Sequence, residues 1–267
     1  MGKYLSRGIV LLFVVIFTLP IVLTLVHSFG EQGTVSEGLK LTKILPERLG
    51  LDGYYELFIE NHWILRGFWN SVLYAGVITV CNIVVSVPAA FAFLHAKFKG
   101  KDVLFFFYIV LMMMPLQVTL LPNYIGLRDM NLLDTQYAII LPAIFTPFSA
   151  FLMTQYMRGL EEVSIEAAML ETDSVIRMLV MIVLPQLKTC ILAVFVFVFA
   201  EYWNMVEQPN IYLRQETLKP MSVLLDTSGA MTLSVVLAGS VVLMIPIVIL
   251  YLYFHDSLEV GLESMKL

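Results

Sequence analysis

Six long apolar stretches follow one another along the chain, and shorter polar segments separate them. Each stretch is close to the roughly 20 residues that an α-helix needs to cross a bilayer core of about 30 Å. Backbone amide and carbonyl groups find no water in that core, so these stretches should be helices rather than loops. The pattern predicts six membrane-spanning helices, at residues 8–27, 67–94, 103–125, 136–156, 189–206 and 231–254.

The composition favours the same class of protein. Of the 267 residues, 59% are apolar and 14% are Asp, Glu, Lys or Arg, whereas a soluble domain has about 45–50% and about 25%. This excess, clustered in long runs, excludes a soluble enzyme, a secreted disulfide-rich domain and a disordered chain. A net charge of −5 offers no basic surface for nucleic acid. The predicted fold class is an all-α integral membrane protein, with residues 1–267 forming a single transmembrane domain.

Cysteine and histidine give no sign of a metal site. Cys81 and Cys190 lie in or beside apolar runs and have no partner at a metal-type spacing, so they are expected to be structural thiols. The histidines lie near the ends of the predicted spans and are expected at the membrane interface rather than as ligands. They are His27, His62, His95 and His255.

Prolines lie inside several of the apolar stretches. Each removes a backbone donor and bends its helix, and neighbouring helices can compensate for this inside a bundle. Such bends suit a protein that changes shape, although they are also frequent in membrane helices generally. The positions are Pro20, Pro88, Pro115, Pro142, Pro147 and Pro246.

The basic residues predict the orientation in the membrane. Lys97, Lys99 and Lys101 lie in the short connection after the second span, and Lys3 and Arg7 lie in the N-terminal tail. Short basic connections are typical of the cytoplasmic side. The segment between the fourth and fifth spans and the C-terminal tail are then cytoplasmic as well.

That cytoplasmic segment, residues 158–185, has a pattern of its own. Apolar residues recur at three- and four-residue steps from Leu160 to Leu170, a turn follows at Thr172-Asp173, and Ser174 can cap a second helix. The pattern predicts a helix–turn–helix with one apolar stripe. It could dock into another protein, or it could lie on the membrane surface.

The residues of this segment favour docking. Glu166-Ala167-Ala168, followed at the right spacing by Ile182-Val183-Leu184-Pro185, is similar to the "EAA" loop of binding-protein-dependent ABC importer permeases. The segments Leu121–Tyr124 and Asn131–Thr135 and the pair Trp203-Asn204 resemble the carbohydrate-uptake branch of that family, in particular the second, maltose-permease-like subunit. The resemblance covers about residues 67–254.

Two features depart from the family pattern. Thr172 stands at the turn where the family usually has Gly, and a β-branched residue disfavours the positive φ that Gly supplies. The tail from Ser257 onward matches the Gly-rich family ending only loosely. These departures indicate a divergent subfamily but leave the docking helix in place.

The resemblance implies the partners of the chain. They are a homologous second permease subunit, two ATPase subunits or domains, and an extracytoplasmic solute-binding protein, at the cytoplasmic (inner) membrane of a prokaryote. The chain lacks a G-x-x-x-x-G-K-[ST] loop, so it is expected to be no enzyme and to hold no cofactor, with ATP and Mg bound by the partner ATPase. The residues implied in ATPase coupling are Glu166, Ala167, Ala168, Thr172, Leu184 and Pro185.

The expected function is ATP-driven import of a sugar or oligosaccharide by alternating access. The same machine could carry an amino acid or a peptide instead. A secondary transporter would couple to ions through buried carboxylates, and Glu201 is the one acidic residue well inside a span. No inverted internal repeat is evident in the sequence either, so that class is disfavoured.

Polar residues inside the spans are the candidates for the substrate path, because they tend to face the interior of a bundle. Phe197, Glu201 and Asn204 share one helix face by their spacing, and Gln117 and Asn82 are further candidates. Aromatic rings would stack on sugar faces, and amide or carboxylate groups would bond to hydroxyls. Alternatively, Glu201 lies hydrated near the outer mouth, and the other subunit supplies the substrate contacts.

Overall fold

The computed structural model of the protein describes residues 2–30, 49–96, 98–159, 174–227 and 231–263. Within these ranges the chain is helical, apart from turns, short connections and an isolated bridge between Gly30 and Leu49. The helices are α1 (Gly2–His27), α2 (Asp52–Tyr55), α3 (His62–His95), α4 (Lys101–Met112), α5 (Leu116–Asp129), α6 (Gln136–Ile144), α7 (Pro147–Arg158), α8 (Val175–Gln186), α9 (Lys188–Trp203), α10 (Glu207–Tyr212), α11 (Met221–Thr227) and α12 (Leu233–Glu263).

Non-α turns extend some of these helices. A π-helical turn, Glu56–Glu60, continues α2, and a second π-helical turn, Leu179–Val183, lies within α8. A 3-10 turn, Glu216–Leu218, follows α10.

Four helical segments of the described chain are long and apolar enough to cross a membrane alone: Ser6–His27, His62–His95, Gln136–Arg158 and Leu233–Asp256. Two further helix pairs are long and apolar enough only when the two helices are taken together. The angle between α4 and α5 is 104°, and the angle between α8 and α9 is 80°. If each bent pair is one span, length and composition allow up to six spans. The predicted stretch 103–125 is therefore two helices at a sharp angle rather than one continuous helix.

Two prolines coincide with breaks in the helices. Pro115 is the N-cap of α5, with extended backbone angles, and Pro147 is the first residue of α7. A proline cannot donate the backbone bond that would continue the preceding helix. Other prolines expected to bend helices, Pro20, Pro88, Pro142 and Pro246, lie inside continuous helices.

The chain divides into two compact units, and the first comprises residues 1–69 and 220–248. Apolar side chains form its core, where Leu57, Ile64 and Met221 are completely buried. Helices approach closely here: a Cβ atom added to Gly53 would lie 2.6 Å from the carbonyl oxygen of Ser234. Only glycine fits at such a distance, so Gly53 is needed for this packing.

Helix α1 belongs to the first unit, and its outer surface is apolar. All side chains from Ser6 to Val22 are exposed, including Phe13 and Phe17, which stack on each other. An apolar helix exposed in this way is stable when lipid or another protein covers it.

The second unit comprises residues 70–219 and 249–267. Its core contains large, fully buried side chains, among them Tyr74, Met153 and Trp203. The guanidinium of Arg158 lies 5.2 Å from the centre of the Phe105 ring, at the end of α7, a distance typical of a cation–π contact. This unit contains the candidate site.

Candidate translocation cavity

A cavity of about 540 Å³ opens within the second unit. Helices α4, α5, α6, α7, α9 and α10 contribute to its wall, so the bend between α4 and α5 helps to form it. Apolar and aromatic side chains make up most of the lining. The polar groups are Tyr108, Thr119, Asn123, Thr146, Glu201, Tyr202, Gln208 and Tyr212. The volume lies within the roughly 300–1,000 Å³ of small-molecule sites.

A break between α6 and α7 places Thr146 on the cavity wall. The Thr146 Oγ1 atom lies 2.8 Å from the carbonyl oxygen of Ala143 and 2.6 Å from the hydroxyl oxygen of Tyr202. A threonine hydroxyl has one hydrogen to donate, and the carbonyl can only accept. Tyr202 therefore donates to Thr146, which donates to Ala143, and this chain of bonds connects α9 to the break.

Asn82 supports the same break without lining the cavity. Its side chain is completely buried, and its Nδ2 donates to the carbonyl oxygens of Ile144, at 2.8 Å, and Thr146, at 3.5 Å. Helix ends leave carbonyl groups without an intrahelical partner. The structure thus places this substrate-path candidate where it binds backbone carbonyls, and Asn82 is not among the lining residues.

We expect Asn82→Leu to lower the stability of the protein by about 1–2 kcal/mol, because the carbonyl of Ile144 would lose its hydrogen-bond donor. Thermal unfolding of the detergent-purified protein measures this. Asn204→Leu is the matched control: the Asn204 side chain is exposed, and its loss should change stability by less than about 0.5 kcal/mol. Equal effects of the two substitutions would refute the role of Asn82.

The three candidates on the predicted fifth span occupy different surroundings. Glu201 lines the cavity. Phe197, one turn earlier, packs edge-on against Phe148 with ring centres 6.3 Å apart, and Phe148 lines the cavity. Asn204 follows the end of α9 and donates its Nδ2 to the carbonyl oxygen of Ala200, at 3.0 Å, as a helix-end bond.

Gln117 joins two elements at the edge of the site. Its Nε2 atom lies 3.0 and 3.2 Å from the two carboxylate oxygens of Glu207. The bond connects α5 to α10, and both side chains are exposed. Gln117 is absent from the cavity lining, whereas Leu116 and Gln208 on the same two helices contribute to it.

Asp134 was not predicted to bind anything, yet it holds two loops together. Its Oδ1 accepts the backbone amides of Arg214 and Gln215, both at 2.9 Å, and its Oδ2 accepts Nε2 of Gln215 at 3.1 Å. Asn131 and Asp134 have φ values of 57° and 59°, a conformation that Asn and Asp tolerate better than most residues. The Asn131–Thr135 motif therefore shapes the connection that fastens the segment after α10.

These hydrogen bonds lower the pKa of the Asp134 carboxyl below its ordinary value of 3.8, with the amide of Gln215 as the largest cause. A lowered folded-state pKa stabilises the protein above pH 3.8, and the contribution disappears as the pH falls through the folded-state pKa. We expect wild type to unfold at a higher temperature than Asp134→Asn near neutral pH, with the difference shrinking below about pH 4. A difference that stays constant from neutral pH down to pH 3 would contradict this assignment.

Four residues that the resemblance implies in ATPase coupling, Glu166, Ala167, Ala168 and Thr172, lie outside the described residues. The following helix, α8, is described and begins as predicted: the Ser174 hydroxyl accepts the backbone amide of Arg177, at 3.4 Å. Leu184 and Pro185 lie in the last turn of α8, directly before the 80° bend into α9. Four large apolar side chains on α8 are exposed, namely Val175, Ile176, Val180 and Met181.

Several lining residues have no strong signal in the sequence. Thr146 and Tyr202 lie inside apolar stretches, and hydroxyl groups are common in membrane helices, where they bond to backbone carbonyls. Asn123 follows Pro122 in the segment Leu121–Tyr124, whose only signal in the sequence is its resemblance to the carbohydrate-uptake branch. The break at Pro147 was the signal available for Thr146, since a helix that starts at a proline leaves nearby carbonyls to be satisfied.

Known proteins resemble this chain over most of its length. The arabinooligosaccharides transport system permease protein AraQ of Halalkalibacterium halodurans is 29% identical over 220 residues, which are 81% of this chain and 79% of AraQ. The sn-glycerol-3-phosphate transport system permease protein UgpE of Yersinia pestis is 29% identical over 202 residues, which are 74% of this chain and 72% of UgpE. No protein-family profile matches the chain.

A solved structure shares the fold. It is the crystal structure of a bacterial ABC transporter involved in the import of the acidic polysaccharide alginate. The two chains superpose with a TM-score of 0.81 at 20% identity, covering 96% of this chain and 95% of the other.

Together these comparisons confirm the resemblance to permease subunits of ABC importers. Such permeases are multi-pass proteins of the inner membrane and are not themselves enzymes. Within that class, the likeness is to the carbohydrate-uptake branch, as the sequence predicts.

Proposed function

We propose that this chain is one transmembrane subunit of an ATP-driven importer that moves a sugar or oligosaccharide across the cytoplasmic membrane. The observation that carries the proposal is a cavity with a few polar groups in its wall, inside an apolar, helical fold that is shared with an importer chain. A cavity with a few placed polar groups suits a solute that must be bound and then released. The relatives named for arabinooligosaccharides support a sugar as the cargo.

Transport by alternating access requires two packings of the helices, and ATP must bias the choice between them. The energy would come from a separate ATPase that binds ATP and Mg. We place its docking site on the cytoplasmic segment 158–185. The exposed apolar side chains Ile176, Val180 and Met181 on α8 support a partner surface there. A rigid-body movement of α8 would be transmitted to α9 through the sharp bend that joins the two helices.

The complete importer would contain a homologous second permease, two ATPase subunits or domains and an extracytoplasmic solute-binding protein. The exposed apolar surface of α1 supports a position against lipid or the second permease. With up to six spans, both termini would lie in the cytoplasm, as the basic residues Lys97, Lys99 and Lys101 favour.

Co-expression with the genes that flank its own gene tests the assembly. We expect a tagged chain to purify with a second permease and with an ATPase that carries a phosphate-binding loop, in a ratio of one ATPase per permease. Purification as a homo-oligomer without an ATPase, under conditions where all subunits are present in the membrane, would refute the proposal.

A further inference from the structure

The cavity lining contains one acidic side chain and no basic one. Among the described residues that line it, Glu201 is the only Asp or Glu, and no Lys, Arg or His is present. The remaining polar groups are neutral hydroxyls and amides, such as Tyr202, Asn123 and Gln208. The lining therefore offers hydrogen bonds but no positive charge.

Three basic side chains of the second unit have described partners away from the cavity. Arg128 pairs with Asp129 on an exposed surface, at 3.0 Å, and Arg158 lies over the ring of Phe105. Lys101 donates its Nζ to the carbonyl oxygen of Leu94, at 2.9 Å. None of the three lines the cavity.

This distribution of charge has a consequence for the solute. An acidic sugar entering the cavity would lose hydration without gaining a cationic partner, and a Glu201 carboxylate would repel it. A neutral sugar meets no such penalty, because tyrosine, threonine and amide groups can donate to and accept from its hydroxyls. Aromatic and methionine side chains would cover its apolar faces.

We infer that the cavity takes uncharged sugars and excludes acidic ones, and that Glu201 is the residue that determines this specificity. The inference rests on the proposed function, and it separates this chain from relatives whose named solutes carry acidic groups. It assigns the choice of cargo partly to the permease itself, in addition to any choice made by a solute-binding protein.

Direct binding to the purified, assembled importer tests the inference, and the solute-binding protein is left out so that it cannot select the ligand. Equilibrium dialysis would compare two radiolabelled probes with the same number of rings: arabinotriose, which is neutral, and a mannuronate trisaccharide, which is acidic. We expect arabinotriose to bind about tenfold or more tightly than the mannuronate trisaccharide at low salt. In Glu201→Gln the preference should shrink at least about threefold, because the repulsion is removed.

Glu216→Gln is the matched control, because Glu216 is exposed in the same unit and does not line the cavity. It should leave the preference unchanged. Equal or tighter binding of the acidic probe to wild type, no binding of either probe, or a preference that Glu201→Gln leaves unaltered would each overturn the inference. If ATP-dependent uptake persists in those cases, the proposed function stands while the specificity assignment fails; without uptake, both fail.

Discussion

An Ala168→Arg chain should reach the membrane but lose its ATPase, and solute uptake should fall by at least about 100-fold. Ala168 belongs to the Glu-Ala-Ala tripeptide, which resembles the docking loop of importer permeases. On the proposed docking, the methyl group of Ala168 would occupy a groove on the ATPase that a guanidinium could not enter without burying an unpaired charge. Such burial costs several kcal/mol, and each 1.4 kcal/mol weakens binding tenfold.

Quantitative co-purification of the ATPase with the tagged chain measures this effect, alongside uptake by membrane vesicles. Ala96→Arg is a suitable control, because Ala96 lies in another short connection that the basic residues predict to be cytoplasmic, without any likeness to a docking loop. It should leave ATPase binding unchanged. A full complement of ATPase on the Ala168→Arg chain would argue against docking at this loop.

The second large effect concerns Trp203. Its side chain is completely buried, and its ring stacks on Phe199 with ring centres 5.4 Å apart and planes inclined by 17°. Removal of a buried tryptophan leaves a large void, which costs about 3–5 kcal/mol in protein cores. We therefore expect Trp203→Ala to be strongly destabilised, with poor recovery from the membrane.

Thermal unfolding in detergent compares Trp203→Ala with Trp69→Ala. Trp69 is 67% exposed, so its truncation should change stability by less than about 0.5 kcal/mol. Trp203→Phe should recover part of the loss, because a ring remains to pack against Phe199. Equal stability of the two alanine variants would show that Trp203 does not hold the second unit together.

Four of the apolar stretches each coincide with a helical segment long enough to cross a membrane, because the bilayer imposes a length and an absence of charge on each span. The apolar pattern could not predict how the third stretch is arranged. Pro115 marks the break, but the 104° angle between α4 and α5 depends on packing against other helices, which a local pattern does not contain.

The candidate site was predictable only in part. Glu201 stands out because a carboxylate inside an apolar stretch is costly, and such residues face cavities. The same reasoning selected Asn82, which instead bonds to the carbonyls of Ile144 and Thr146. A buried amide can line a substrate path or bond to backbone carbonyls equally well. Which of these Asn82 does depends on a helix break that is 62 residues away from it in sequence.

The Asn131–Thr135 motif shows a different limit of prediction from sequence. Asn131 and Asp134 resemble a family pattern, but the residues that Asp134 binds, Arg214 and Gln215, lie 80 and 81 positions further along the chain. Their backbone amides, rather than their side chains, make two of the three bonds. No pattern of side chains could have identified these partners.

Uptake by proteoliposomes containing the assembled importer tests the central claim most directly. With the solute-binding protein on the outer side and ATP on the ATPase side, we expect labelled arabinotriose to accumulate inside, and accumulation to stop when ATP is replaced by a non-hydrolysable analogue. Accumulation driven by an ion gradient in the absence of ATP, or no transport of any sugar by a complete complex that hydrolyses ATP, would contradict the account.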